Sequence, residues 1–215
     1  MYKAVIFDMD GLMFDTENYW IEFGIDIAKN FGYNLTEKFI NKITGTNYDN
    51  IKRNLFITYG DKFPIEDFYE ELRNKIYNDM ETNGIRIKKG LIELLKYLKD
   101  NNYLIAIASS TSKIIIEKYL SYANIDKNIF NIIVSGVDFK NGKPFPDIYI
   151  NTCKLLNIKS DETLVLEDST NGIISAYNAN CDVIWIPDRI EVPLDIQKLA
   201  INKFDSLIDV IDFLK

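Results

Sequence analysis

Five short apolar runs, separated by helical patterns, limit most strongly how this chain can fold. Each run is rich in branched side chains and has no polar residue at alternate positions: 4–7, 104–108, 132–134, 164–166 and 183–186. Such runs are typical of strands buried on both faces of a parallel sheet. Because helical patterns alternate with them, we predict a Rossmann-like, doubly wound α/β sheet with right-handed crossovers.

Amphipathic helical patterns lie beside these runs, at 91–99, 112–123, 147–157 and 171–180. In the first pattern the leucines share one face, as expected of a helix that packs on a sheet. Ser112 and Asp147 stand where N-cap residues are expected for the second and third helices.

The interval 16–86 breaks the alternation, because it contains helical spacing but no pattern typical of a buried strand. Trp20 and Phe23, for example, fall on one helical face. We therefore predict an α/β core domain made of 1–15 and 87–215, with 16–86 as a smaller, all-helical cap domain inserted in it. We expect the cap over the carboxyl ends of the strands, where ligands bind in open α/β sheets.

The chain contains no histidine, which excludes several classes of chemistry. Ser-His-Asp and Cys-His catalysis, histidine-ligated zinc and an imidazole proton shuttle are all impossible. The available groups are carboxylates, lysines, hydroxyls and a hard metal ion. A net charge of −7 argues against a nucleic-acid partner.

The sequence shows neither a signal-peptide pattern at its N-terminus nor an apolar stretch long enough to span a membrane. We expect a cytoplasmic protein with no membrane partner, and we expect it to be a monomer. Cys153 and Cys181 lack metal-site spacing and are interpreted as buried thiols in a reducing compartment.

Two acids, Asp8 and Asp10, follow the first predicted strand and precede Gly11. Residues two apart on an extended chain point to the same side. Such a pair can hold a hard divalent cation, or one acid can attack a substrate while the other moves protons. Turns are also rich in Asp and Gly, so a capping turn explains this pattern when it is taken alone.

Polar residues follow the other predicted strands as well. Ser109 and Ser110 precede a helix and favour phosphate binding, although an ordinary N-cap has the same pattern. Lys143 lies in a loop stiffened by two prolines, and Glu167 and Asp168 end the fourth strand. Since the carboxyl ends of parallel strands share one edge of a sheet, we expect these groups to converge.

Together these motifs resemble those of the haloacid dehalogenase superfamily, in the branch with a helical cap that contains β-phosphoglucomutases and sugar-phosphate phosphatases. The resemblance covers essentially the whole chain. It is carried by Asp8-x-Asp10-Gly-Leu-Met-Phe-Asp15-Thr16-Glu17, Ser109, Lys143-Pro-x-Pro and Glu167-Asp168-Ser169.

The resemblance implies a Mg²⁺-dependent phosphatase that acts on a small phosphorylated metabolite. Asp8 would be the nucleophile that forms an aspartyl-phosphate, and Asp10 would be the acid and base. Mg²⁺ would be held by Asp8, Asp168 and the backbone carbonyl of Asp10, with help from Glu167. Ser109 and Ser110 would bind the phosphoryl group.

Lys143 would be both a catalytic and a phosphate-binding residue, since its ammonium would neutralise charge between the nucleophile and the phosphate. An acid at position 10 also favours phosphoryl transfer over dehalogenation, because a halide leaves without a proton.

The closest alternative is a phosphomutase of the β-phosphoglucomutase type. That family has a histidine in the first cap helix, where this chain has Trp20, and an arginine in a cap loop, where this chain has Tyr48. Without both groups we favour hydrolysis, although Lys52 or Arg53 remains able to replace the arginine. A catalytically silent binding module is a third possibility, but it has no need for a second acid beside Asp8.

Three residues of the predicted cap domain, 16–86, are predicted to contact the substrate or to act in closure of the cap. Trp20 and Tyr48 are candidates for contact with the leaving group, and packing within a helical core is the equally good interpretation of Trp20. Thr16 lies where the chain leaves the core domain, and we expect it to act as a hinge for closure.

Overall fold

The computed structural model describes residues 1–43 and 48–215, without the side chains of residues 48 and 49. The part of the chain that is described contains one sheet, and all five predicted strands are in it. A short sixth strand was not predicted. The strands are β1 (Ala4–Phe7), β2 (Leu104–Ser109), β3 (Ile132–Ser135), β4 (Thr163–Glu167), β5 (Asp182–Trp185) and β6 (Asn202–Lys203).

The strand order is β3-β2-β1-β4-β5-β6, and every neighbouring pair is parallel. The chain builds outward from β1 in one direction and then, from β4, in the other. Ligand sites of doubly wound sheets lie at such a reversal, outside the carboxyl ends of the strands. The predicted fold class is therefore confirmed.

The chain separates into two compact units, Met1–Asp15 with Arg86–Lys215, and Thr16–Ile85. The described elements of Thr16–Ile85 are helical. They are α1 (Glu17–Tyr19), which continues through a π-helical turn (Trp20–Gly24) into α2 (Ile25–Asn30), then α3 (Glu37–Ile43), α4 (Tyr48–Tyr59) and α5 (Ile65–Asn83). This unit has a hydrophobic core of its own, in which Leu55, Phe68 and Leu72 are buried.

The helices of the α/β unit are α6 (Leu91–Asp100), α7 (Lys113–Tyr122), α8 (Asp147–Leu156), α9 (Thr170–Asn178), α10 (Leu194–Gln197) and α11 (Ile208–Leu214). Helix α6 packs against β2 and α11, whereas α8 and α9 pack against the strands beside them and against each other. Ser112 is the N-cap residue of α7, as predicted. The prediction for Asp147 is wrong by one position, because Pro146 is the N-cap of α8 and Asp147 begins the helix.

Both faces of the sheet are buried, as the unbroken apolar runs predicted. Ile6, Val165 and Val183 lie in one core cluster with residues of α8 and α9. Val5 and Leu164, the next residues along their strands, point to the opposite face and are also fully buried. This burial explains why the strands show no alternation of polar and apolar residues.

Cys153 and Cys181 are free and buried, with their sulfur atoms 3.8 Å apart. This agrees with their interpretation as core thiols. Among the helices described, none has both the length and the apolar character required to cross a bilayer.

Helix α6 offers a direct test of this packing. Leu94 is fully buried, whereas Ile92 on the same helix is 48% exposed. We expect Leu94→Ala to lower the free energy of unfolding by about 3 kcal/mol, because it leaves a cavity in the core. The matched control Ile92→Ala should change it by less than about 0.5 kcal/mol. Urea denaturation measures both values, and equal losses would contradict the assigned face.

Candidate active site

Asp8 follows the last residue of β1 and is directed into the carboxyl edge of the sheet. Its N–H donates to the carbonyl of Leu166 at 3.1 Å, which extends the pairing of β1 with β4 by one residue. Only 8% of Asp8 is exposed. Gly11 then has a φ of +84°, and its N–H donates to the carbonyl of Phe14, so the chain turns sharply after the two acids.

The Lys143 ammonium joins the ends of three strands. It donates to Asp8 Oδ1 at 2.5 Å, to Glu167 Oε1 at 2.6 Å and to the carbonyl of Ala108 at 3.1 Å. Its side chain is only 7% exposed. These acceptors use all three N–H groups of the ammonium, so a loop lysine that is usually solvated is here a fixed, buried charge.

Glu167 is fully buried, and both of its carboxylate oxygens accept hydrogen bonds. In addition to Lys143, Oε1 accepts the Tyr149 hydroxyl at 2.6 Å. Oε2 accepts the N–H groups of Asp168 and Ser169, at 3.1 and 3.2 Å, and the Ser169 hydroxyl at 3.0 Å. The carboxylate therefore organises the turn between β4 and α9.

Gly172 makes this position of the Glu167 carboxylate possible. A Cβ at Gly172 would overlap the Glu167 carboxylate, so any larger residue must displace it. The glycine thus serves close packing of a charged group against the first turn of α9.

Carboxylate oxygens of Asp8, Glu167 and Asp168 lie within 4.8 Å of one another. Asp168 Oδ1 is buried and has no hydrogen-bond partner, which is costly for a carboxylate unless another group binds it. The backbone of Asp168 is fixed by the Trp185 indole, which donates to its carbonyl at 3.2 Å. An oxygen-only set with one buried, unpaired oxygen fits a hard divalent cation.

The electrostatics of the cluster agree with this interpretation. Burial raises the pKa of Asp8 to about 7, even though the charge of Lys143 opposes the shift. Burial, followed by the charges of Glu167, Asp8 and Asp188, raises the pKa of Asp168 well above its usual range. Burial lowers the pKa of Lys143, but the charges of Asp8 and Glu167 raise this pKa by more than burial lowers it. The pKa of Lys143 is therefore well above its usual value, and the ammonium stays protonated.

Asp10 faces a different set of partners, the hydroxyls that follow β2. Its Oδ2 accepts the Thr111 hydroxyl at 2.7 Å and the Ser109 hydroxyl at 3.4 Å. Thr111 is itself held, because its N–H donates to Ser109 Oγ and its carbonyl accepts the Ser135 hydroxyl. The hydroxyls that follow β2 therefore hold the Asp10 carboxylate.

The structure brings together most of the residues predicted for this site: Asp8, Lys143, Glu167 and Asp168 in one cluster, and Asp10 with Ser109 beside it. Asp10 was predicted to hold the metal through its backbone carbonyl. Its carboxylate does not belong to the acidic cluster of Asp8, Glu167 and Asp168. Ser110 is exposed, unlike the buried Ser109.

The residues predicted for substrate recognition belong to the other unit. Thr16 is the N-cap residue of α1 and the first residue of that unit. Trp20 is partly buried and packs edge-on against Tyr69, with ring centroids 5.3 Å apart, so the packing interpretation accounts for part of its surface. Tyr48 was predicted in a cap loop at 44–49, but it is the first residue of helix α4. Its side chain and residues 44–47 lie outside the described residues.

Tyr149 and Gly172, which lie against the Glu167 carboxylate, were not predicted as site residues. Thr111 contacts Asp10. Thr111 belongs to the hydroxyl run after β2, so its position was a usable signal. Tyr149 lies on the apolar face of α8, and nothing local shows that its hydroxyl meets Glu167.

The comparisons with known proteins agree with this geometry. The sequence profile of the family described as haloacid dehalogenase-like hydrolase matches residues 5–186, so the chain belongs to that family. The predicted superfamily is therefore confirmed.

Individual relatives have similar lengths. A phosphorylated carbohydrates phosphatase from Thermotoga maritima is 28% identical over 186 residues, 85% of this chain and 84% of that protein. A Saccharomyces cerevisiae protein assigned as a probable pseudouridine-5′-phosphatase is 34% identical over 197 residues, 86% of this chain and 82% of that protein. These relatives confirm the predicted enzyme class, a hydrolase of phosphoric monoesters.

The fold has a similar counterpart among solved structures. A Thermotoga maritima protein assigned as a β-phosphoglucomutase matches with a TM-score of 0.82 and 26% identity, covering 100% of this chain and 98% of that chain. The architecture is thus shared by proteins named as phosphatases and by one assigned as a mutase.

Gly172 provides a test of the buried Glu167 carboxylate. Helix propensity alone favours alanine over glycine by about 1 kcal/mol. We expect the opposite for Gly172→Ala, a loss of about 2 kcal/mol in the free energy of unfolding, because the new methyl group displaces Glu167. Asn171→Ala, at the exposed neighbouring position, is the control and should change stability by less than about 0.5 kcal/mol. A Gly172→Ala protein as stable as the wild type in urea would contradict the assigned contact.

Proposed function

We propose that the chain is a Mg²⁺-dependent phosphatase that hydrolyses a small phosphomonoester, such as a sugar phosphate, through an aspartyl-phosphate. The observation that carries the proposal is the cluster of Asp8, Glu167 and Asp168 around Lys143, with a buried unpaired oxygen on Asp168. The relatives named as phosphatases support the same reaction class.

Asp8 is the proposed nucleophile. One of its carboxylate oxygens attacks phosphorus, and the bond from phosphorus to the leaving oxygen breaks. Lys143, which contacts Asp8 Oδ1, holds this carboxylate and offsets the charge of the incoming phosphate. Ser109 and Ser110, at the end of β2, are the proposed hydroxyl donors to the phosphoryl oxygens.

Asp10 is the proposed acid and base. In the first step it gives a proton to the leaving oxygen, and in the second it takes a proton from water as the water attacks the aspartyl-phosphate. Inorganic phosphate leaves, and Asp8 is restored as a carboxylate. The hydroxyl of Thr111, which donates to Asp10 at 2.7 Å, orients Asp10 for both transfers.

Asp8, Asp168 and the carbonyl of Asp10 are the proposed ligands of Mg²⁺, with Glu167 beside them. When bound there, Mg²⁺ supplies charge that attracts the phosphate and offsets the repulsion among the acids. Because both Glu167 oxygens already accept hydrogen bonds, its main contribution is to hold Lys143 and the turn carrying Asp168.

The unit Thr16–Ile85 is the proposed cap that recognises the leaving group. Trp20 and Tyr48 would contact the substrate, and Thr16 would act in the hinge. The relatives act, by their names, on phosphorylated carbohydrates and on pseudouridine 5′-phosphate, and both have an organic ring or chain beyond the phosphate.

The nucleophile is tested with p-nitrophenyl phosphate. We expect Mg²⁺-dependent hydrolysis, and a fall in kcat/KM of at least about a thousandfold in Asp8→Asn, since an amide cannot form the aspartyl-phosphate. Asp161→Asn, at an exposed position before β4, should retain wild-type activity. Full activity of Asp8→Asn, or wild-type activity in chelator, would overturn the mechanism.

A phosphomutase is the second candidate, because the structurally similar Thermotoga maritima protein is assigned as a β-phosphoglucomutase. We favour hydrolysis because the chain has no histidine and has Trp20 in the place of the mutase histidine. A mutase must also hold a second phosphate while it shields the aspartyl-phosphate from water.

The two activities differ in their products. With β-glucose 1-phosphate and a trace of the bisphosphate, we expect free phosphate and no accumulation of glucose 6-phosphate. Coupled assays for both products distinguish the two outcomes. Glucose 6-phosphate formed without free phosphate would show that the chain is a mutase and would overturn the proposed phosphatase activity.

A further inference from the structure

A further acid, Asp188, lies beside the acidic cluster without belonging to it. It follows β5, in the segment that leads to α10. A Cβ placed on Gly11 would overlap Asp168 Oδ2 and would also lie 3.2 Å from Asp188 Oδ2. The carboxylates of Asp168 and Asp188 therefore face the same backbone position, in the turn after β1.

Lys88 binds the other oxygen of Asp188. Its ammonium donates to Asp188 Oδ1 at 2.6 Å, and the side chains of Lys88 and Asp188 are 23% and 9% exposed. Because Lys88 holds Oδ1, the remaining oxygen, Oδ2, is directed to Gly11 and Asp168. The Lys88–Asp188 ion pair is thus oriented with the Asp188 carboxylate, its negative end, nearer Asp168.

The backbone around Lys88 is also tied to the turn that carries Asp10. The N–H of Lys88 donates to the carbonyl of Met13 at 2.9 Å, and Ile87 forms an antiparallel bridge with Phe14. The Lys88 side chain therefore starts from a fixed point beside the site. Two segments far apart in sequence therefore meet beside the site.

The charges of the neighbouring acids and lysines indicate what the Lys88–Asp188 pair contributes to the site. Asp8, Glu167, Asp168 and Asp188 are four acids, and Lys143 and Lys88 balance them only in part. Placing another carboxylate beside three others is unfavourable unless a cation compensates it. A divalent cation in the cluster would offset much of the remaining negative charge.

We propose that Asp188, held by Lys88, is a positioning residue of the metal site that increases its affinity for Mg²⁺. It acts from outside the set of direct ligands, by attracting the cation and its hydration water, as outer-shell acids do. This role rests on the proposed function, because it requires that the acidic cluster binds the cation.

The test is a direct Mg²⁺ titration of the full chain by calorimetry, without substrate. We expect Asp188→Asn to bind Mg²⁺ about tenfold more weakly than the wild type. The control is Glu162→Gln, which removes the Lys3–Glu162 ion pair at the amino ends of β1 and β4 and should leave the affinity unchanged. Thermal unfolding in chelator verifies that each variant is folded.

Exchange of the two charges separates the proposed role from a purely structural ion pair. A chain with both Lys88→Asp and Asp188→Lys keeps a pair of opposite charges but turns its positive end towards Asp168. We expect this double variant to bind Mg²⁺ more weakly than Asp188→Asn does. Restored wild-type affinity would mean that the pair only ties two segments together, and would overturn the proposal.

The outcomes also distinguish this inference from the function on which it rests. If the folded wild-type chain does not bind Mg²⁺, the proposed metal-dependent function fails, and the role of Asp188 fails with it. If the wild type binds Mg²⁺ and Asp188→Asn binds it equally well, only the role of Asp188 is overturned.

Discussion

The repulsion among buried carboxylates is the constraint on which the rest of the site depends. Two unit charges about 4 Å apart interact by roughly 4 kcal/mol at an effective dielectric constant near 20. Carboxylate oxygens of Asp8, Glu167 and Asp168 lie within 4.8 Å of one another, with Asp8 and Glu167 buried and Asp168 partly buried. Only a surrounding structure that fixes each acid can keep them there. Lys143 supplies one opposite charge, and the hydrogen bonds that Tyr149 and Ser169 donate to Glu167 fix the position of its carboxylate.

The parallel sheet provides that order through its register. Phe7 pairs with Leu166 on one side and with Ile107 on the other, so Asp8 is the next residue between two neighbouring strand ends. The same register brings Glu167 beside Asp8 and the carbonyl of Ala108 within reach of Lys143. Residues far apart in sequence therefore meet because of hydrogen bonds in the sheet, before any side chain contributes. The proposed chemistry uses an edge that the fold already creates.

The sequence predicted the five main strands because buried parallel strands leave unbroken apolar runs. It missed β6, which consists of two exposed polar residues, Asn202 and Lys203, and has no such signature. The convergence of the acids and Lys143 was predictable, since strand ends share one edge. The hydroxyl of Tyr149 was not predictable, because its direction depends on how α8 packs. The pairing of Lys88 with Asp188 was not predictable either, because no local pattern in the sequence indicates that these two segments meet.

The inserted helical unit leaves and re-enters the α/β unit at one place. The N–H of Asp15 donates to the carbonyl of Arg86 at 2.9 Å, so the two ends of the insert are in contact. A short turn would join the same two points, and loop-closure entropy rises only slowly with the length between them. The insert is therefore free to change in length and sequence while the strand register stays intact. Selection for a new substrate can act on one continuous stretch of the gene, because the proposed catalytic residues are all encoded outside it.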